Sequence, residues 1–183
     1  FHPVTIKSIG WLFTHSYFRS WTPVSLFSHA VDVKLWQFNP FGHHLSNIIL
    51  HSLNAALVFW LSIQVFDAFG KKTAVRQLSA AEPLTARADR SIIVASVFAA
   101  LLFSLHPLRA ESVSWVSDRK DLLCAFFMLL TSIVYFTHKE DPNRILGSKV
   151  LLVCLYALAL GSKSIAIVLP VMFVLLDVFL FQQ

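Results

Sequence analysis

Long uncharged stretches alternate with short charged ones along this chain. No Asp, Glu, Lys or Arg occurs between Leu35 and Phe66. A helix needs about 20 apolar residues to cross the ~30 Å hydrocarbon core of a bilayer, so this run predicts a first span over 45–66. A polar segment at 67–90 carries Lys71, Lys72, Arg76, Arg87 and Arg90, and an uncharged run over 91–108 predicts a second span. The charged loop 109–121 leads to a third span over 122–138, and 139–149 is polar again, with Pro142 and Gly147 as turn residues. Beyond it only Lys163 and Asp177 are charged. The break at Gly161-Ser162-Lys163-Ser164 divides this last stretch into spans at 149–162 and 164–183. A single helix kinked near Pro170 is the alternative.

The segment 1–37 is too polar to span. Trp11, Phe13, Tyr17, Phe18, Trp21 and Trp36 stand among His and Ser residues, a composition suited to headgroup depth. On a helix over 24–36, Ser25, Ser28, His29 and Asp32 share one face, and Val24, Phe27, Val31 and Leu35 another. This predicts an amphipathic helix along the membrane with its polar face in water. The expected fold is all-α and polytopic, an outer-face interfacial arm at 1–37 followed by a bundle of about five spans at 38–183.

Composition agrees with that reading. The chain has 183 residues, 56% hydrophobic and 14% charged, with mean hydropathy +0.67. Soluble domains have roughly 45–50% apolar and about 25% charged residues, which argues against a water-soluble single-core enzyme. A net charge of +5 calls for no nucleic acid. The loops 67–90 and 139–149 hold eight Lys/Arg in 35 residues, against six in 50 for the arm with 109–121. The positive-inside bias therefore puts the first pair in the cytoplasm and the arm with 109–121 outside. Cys124 and Cys154 sit inside apolar runs and read as small unbridged hydrophobes. The chain starts at Phe1 and ends directly after an apolar run, as a segment of a longer protein is expected to do.

Three groups of polar residues are candidates for chemistry. Ser25, His29 and Asp32 suggest a hydrolase triad, but three side chains on one helix face point the same way, and a nucleophile needs its base from another direction. His44, Asn47, His51 and Asn54 recur at steps of three, four and three, a stripe expected to face the bundle interior or a wet cavity. Interhelical hydrogen bonding explains the stripe most simply, and a transporter's polar path is the alternative. His44 and His51 lie about 10 Å apart along a helix, too far to share a metal ion. The segment 106–121 concentrates charge at the membrane surface. Glu111, Trp115 and Asp118 have helical spacing within it. A paired, snorkelling charge cluster and an anionic-headgroup site explain it equally well. In the second case Arg119 offers a planar fork and Lys120 a point charge to a phosphate, and Lys163 is expected at the same surface.

Three motifs in order carry a resemblance. The first runs from Trp21-Thr22-Pro23-Val24-Ser25-Leu26 through Ser28-His29, Asp32 and Asn39-Pro40-Phe41-Gly42-His43-His44-Leu45 to Asn47, His51 and Asn54. The second is Leu105-His106-Pro107-Leu108, Glu111-Ser112-Val113, Trp115-Val116 and Arg119-Lys120-Asp121-Leu122. The third is Ser162-Lys163, Leu169-Pro170 and Leu175-Leu176-Asp177. Together they resemble the membrane region of bacterial tetratricopeptide-bearing proteins, which are similar to the transmembrane O-mannosyltransferases that target cadherins. The resemblance implies a GT-C type helical bundle in a bacterial inner membrane or its equivalent. It also implies transfer of a sugar, mannose in that family, from a polyprenyl-phosphate donor to a protein hydroxyl on the outer face. No metal or other cofactor is called for. The family's main catalytic acid is expected upstream of Phe1. Arg119, Lys120 and Lys163 are then the residues for the phosphate, with Asp121 beside them, and His106 and Glu111 position substrate, Glu111 as the catalytic candidate. Arg109 departs from the family's frequent His, and Ser164-Ile165 from its Pro-Met. A transporter or non-catalytic membrane scaffold is the alternative, with function in the His44–Asn54 stripe.

Overall fold

The computed structural model describes residues 10, 11, 13, 14, 21–77, 85–140 and 145–181. Tyr17 and Phe18 of the arm and Pro142 of the second polar loop lie outside the described residues. The described residues form helices and no strand: α1 (Pro23–Trp36), α2 (Pro40–Gln77), α3 (Thr85–Leu105), α4 (Pro107–Ser114), α5 (Arg119–Glu140), α6 (Ile145–Ser162) and α7 (Val168–Leu176). Short 3₁₀ turns cover Val116–Asp118 and Ser164–Ile167, and a π-helical turn covers Asp177–Phe181.

Proline sets three of the helix starts. Pro23, Pro40 and Pro107 open α1, α2 and α4, where the missing N–H would have had no partner in any case. Asn39 and His106 cap the last two of these, accepting from the N–H groups of Phe41 and Leu108. Between α1 and α2 the chain reverses through Gln37 at φ 54°, whose N–H donates to the Val33 carbonyl at 2.9 Å. This left-handed turn carries α1 back over the start of α2, and Trp36 lies against Gly42 where a Cβ would overlap its indole ring.

Two helical stretches are long and apolar enough to cross a membrane, Pro40–Gly70 and Val116–Lys139. A third is obtained if Arg90–Leu105 and Pro107–Ser114, bent by 56°, count as one span. The bend follows from Pro107, which holds His106 in an extended conformation and ends α3 at Leu105, short of the expected boundary at 108. In contrast, α2 runs on to Gln77, past the expected end of the first span, because Lys, Ala, Val, Arg and Gln do not break a helix. The carboxy-terminal stretch is broken where Gly161-Ser162-Lys163-Ser164 predicts. Lys163 is extended at φ −159° and ψ 137°, and Pro170 sits in the first turn of α7, where it costs no hydrogen bond. The two pieces, Gly147–Ser162 and Ser164–Phe179, are apolar but shorter than the two long helices.

Polarity is inverted relative to a soluble bundle. Asn47, Asn54, Ser96, Thr131 and Ser162 are fully buried, whereas Val94, Phe98, Leu101, Leu102, Val153 and Val171 are exposed. In lipid the polar groups must find partners inside and apolar side chains are free to face out, so this arrangement is the one a bilayer demands. The α5 helix is central, with α2 and α6 packed on it and α3 packed on α2. Near the end of α5 opposite the 106–121 loop, Asp177 meets Lys139 at 3.0 Å and accepts from the Tyr135 hydroxyl.

The helix of the arm forms as predicted, but its orientation corrects the expectation of a solvated polar face. Ser25 and Asp32 are buried, while Phe27, Val31 and Leu35 are exposed. The reason is electrostatic: the polar face carries the one carboxylate that meets a buried arginine of α5.

Candidate functional site

Arg119, the first residue of α5, is only 1% exposed. A buried guanidinium must use its donors internally, and this one does. Nη1 lies 2.5 Å from Asp32 Oδ2, and Nε donates to Asn47 Oδ1 at 2.7 Å. Nη2 donates to the His43 carbonyl at 2.9 Å, with Ser28 Oγ a further 3.5 Å contact to Nη1. Asp32 also accepts from Ser46 Oγ at 3.0 Å and faces His43 Nδ1 at 3.3 Å. Asn47 in turn donates to the carbonyls of Val113 and Trp115. One ionic hub thus joins the arm, the start of α2 and the loop 106–121. It holds the loop's backbone as a formed structure, with α4 ending at Ser114 and Trp115 in an extended conformation before the 3₁₀ turn.

His29 lies beside this hub. Burial and the Arg119 charge together hold its pKa down from 6.5 to about 4, against the opposing pull of Asp32. It is therefore a neutral imidazole at ordinary pH. Ser25, His29 and Asp32 share a helix face as expected, and Asp32 faces Arg119 and His43 across it.

The stripe on α2 is interhelical glue at three of its four positions. Asn47 holds the loop, His51 Nε2 meets the Ser104 carbonyl of α3 at 3.2 Å, and Asn54 donates to the Leu122 carbonyl of α5 at 2.9 Å. His44, the fourth, is exposed. The N–H groups of Asn47 and Asn54 are taken up by backbone carbonyls, whereas Asn54 Oδ1 and His51 Nδ1 are buried without a partner among the described residues.

Among the other expected site residues, Asp121 and Lys163 come together: Lys163 Nζ donates to Asp121 Oδ1 at 2.7 Å, and both are about one-third exposed. The extended Lys163 backbone, breaking α6 from α7, turns the side chain toward α5. The pair stands on a cavity of about 330 Å³ lined also by Phe103, Arg109, Met128 and Leu129. Lys120 pairs locally with Asp118 at 3.5 Å. His106 is the cap of α4, accepting through Nδ1. Glu111 is exposed on α4; its carbonyl accepts from the Trp115 N–H, and its carboxylate has no partner among the described residues. The fork of Arg119, expected at the phosphate, is occupied inside the hub. The residues that sequence reasoning passed over are His43 and Ser46, which surround Asp32, and Arg109. Arg109 sits in the cavity with its guanidinium carbon 4.6 Å from the Phe103 ring centroid. A signal for Arg109 existed in its placement among loop charges, but its stacking on Phe103 depends on the bend at Pro107.

The chain is similar to protein O-mannosyltransferases. It is 32% identical over 127 residues to the human protein O-mannosyl-transferase TMTC4, an alignment covering 69% of this chain and 16% of that protein. To human TMTC3 it is 26% identical over 165 residues, covering 90% of this chain and 15% of the relative. The Drosophila melanogaster protein O-mannosyl-transferase Tmtc1 is 28% identical over 148 residues, 81% of this chain and 14% of its own. The chain thus spans about one sixth of the length of the curated relatives it matches. No family model and no solved structure matches it.

Proposed function

We propose that this chain is part of a membrane glycosyltransferase that moves mannose from a polyprenyl-phosphate donor to a protein hydroxyl at the outer membrane–water interface. The observation that carries the reading is the Asp121–Lys163 pair, partly exposed above an amphipathic cavity at the end of α5. Its support from relatives is that they are named as protein O-mannosyl-transferases.

Inverting transfer needs a base to take the acceptor hydroxyl proton and cations to stabilise the departing phosphate. Lys163 supplies a positive charge whose direction Asp121 fixes, and Lys120, next to Asp121 in the chain, adds a second charge at the start of α5. Arg119 acts as a positioning residue, holding the loop through Asp32 and Asn47. Glu111 is an unpaired carboxylate on the same loop, suited to positioning or deprotonating the acceptor, and His106 fixes the start of the helix that bears it.

Sugar transfer by the whole protein, assayed with polyprenyl-phosphate mannose and an acceptor protein, tests this. Lys163→Ala is expected to lower kcat/KM at least tenfold, with Lys163→Arg intermediate. Glu111→Gln is expected to lower kcat more than it raises the donor KM. Full transfer in Lys163→Ala at normal protein abundance would remove the site.

A further inference from the structure

The cavity contains a cation that the Asp121–Lys163 pair leaves unbalanced. Arg109 is half-buried, stacks on Phe103 and pairs with no carboxylate among the described residues. Two cations therefore face one carboxylate at the cavity mouth, and a guanidinium held over an aromatic ring keeps its N–H edge free for an anion. The wall changes character with depth. Met128 and Leu129 follow Asp121 by seven and eight positions on α5, on the same face, so the lining becomes apolar about 12 Å along the helix from the charged mouth. Phe103 of α3 stands on one side of this gap and Asp121, Met128 and Leu129 of α5 on the other. An anionic end at the interface joined to a hydrocarbon tail matches this gradient, and neither a free sugar nor a peptide does.

We propose that the groove between α3 and α5 binds a lipid phosphate, with the phosphate between Arg109 and Lys163 and the first part of the chain against Met128 and Leu129. Arg109 is thereby the residue that fixes the headgroup, and Leu129 lines the track of the tail. Naming the lipid as the polyprenyl phosphate of the donor rests on the transferase reading above. The groove itself rests on the charge at its mouth and the apolar wall below.

Binding of radiolabelled polyprenyl phosphate to the purified whole protein in detergent tests it, with gel filtration reporting the fold of each variant. Arg109→Ala is expected to weaken binding at least tenfold and Arg109→Lys by less, since the lysine keeps the charge and loses the fork. Leu129→Trp, which fills the track, is expected to weaken it as well. Inorganic phosphate and phosphatidylglycerol are expected to compete only weakly. Equal competition by phosphatidylglycerol makes this an ordinary anionic-lipid contact, and equal competition by inorganic phosphate leaves the apolar track without a role. Either result overturns the proposal, as does unchanged binding in Arg109→Ala. Binding that depends on Arg109 in a protein that transfers no mannose supports the groove and defeats the transferase reading. Mannose transfer with Arg109-independent binding does the reverse.

Discussion

At the residue scale the decisive fact is the sequestration of Arg119. A cation read from sequence at a membrane surface is free to take any anion, whereas this one is enclosed by Asp32, Asn47 and His43. The neighbouring His29 reports the consequence, because a second positive charge beside Arg119 in a buried place is unfavourable. Its folded pKa of about 4 lies below the unfolded 6.5. The folded state thus binds fewer protons than the unfolded one between these values, and stability present above pH 6.5 is lost as pH falls toward 4. Thermal unfolding is expected to drop over that window, and His29→Gln should flatten the part of the drop that the imidazole causes. An unchanged slope in His29→Gln would show that the drop does not come from this imidazole. The hub was not legible in the sequence because Asp32 and Arg119 are distant along the chain and no local period joins them. The inward placement of Asn47, His51 and Asn54 was legible, since helical spacing alone sets them on one side of α2.

At the scale of elements, helices were legible wherever proline or a long apolar run set their limits, as at Pro23, Pro40 and Pro107. The direction in which α1 faces was not. Its two faces are distinguishable by pattern, but which one meets the bundle depends on the charge waiting on α5. That makes Asp32 the tie of the arm. Asp32→Asn leaves Arg119 buried without its counter-ion, a change that typically costs about 3–5 kcal/mol. The loss should act first where α1 meets α6, at the close approach of Val24 to Gly161. Ser25 is 4% exposed. A cysteine placed there, with Cys124 and Cys154 replaced, is expected to resist a thiol reagent in the otherwise native protein and to react in Asp32→Asn. Equal protection in both backgrounds would show that α1 is held by its apolar contacts alone.

For the whole molecule the outward apolar surface and inward polar groups establish what surrounds the bundle, while orientation depends on charge between the helices. The excess of Lys and Arg in 67–90 and 139–149 favours the cytoplasm for those loops, and the Asp121–Lys163 site then opens on the outer face. The structure makes the two sides easy to probe. Ser117 is exposed in the 3₁₀ turn before α5, at the same end as the hub and the cavity. Thr73 lies in the final turns of α2, past the apolar stretch that ends at Gly70. With both native cysteines replaced, Ser117→Cys is expected to react with an impermeant thiol reagent in intact cells. Thr73→Cys should react only after the membrane is opened. Because α2 is one continuous helix between these ends, the two labels cannot share a side if it spans. Labelling of Thr73→Cys alone in intact cells inverts the molecule, and then the Asp121–Lys163 pair faces the cytoplasm. Labelling of both leaves α2 outside the bilayer and removes the premise on which the interfacial chemistry stands.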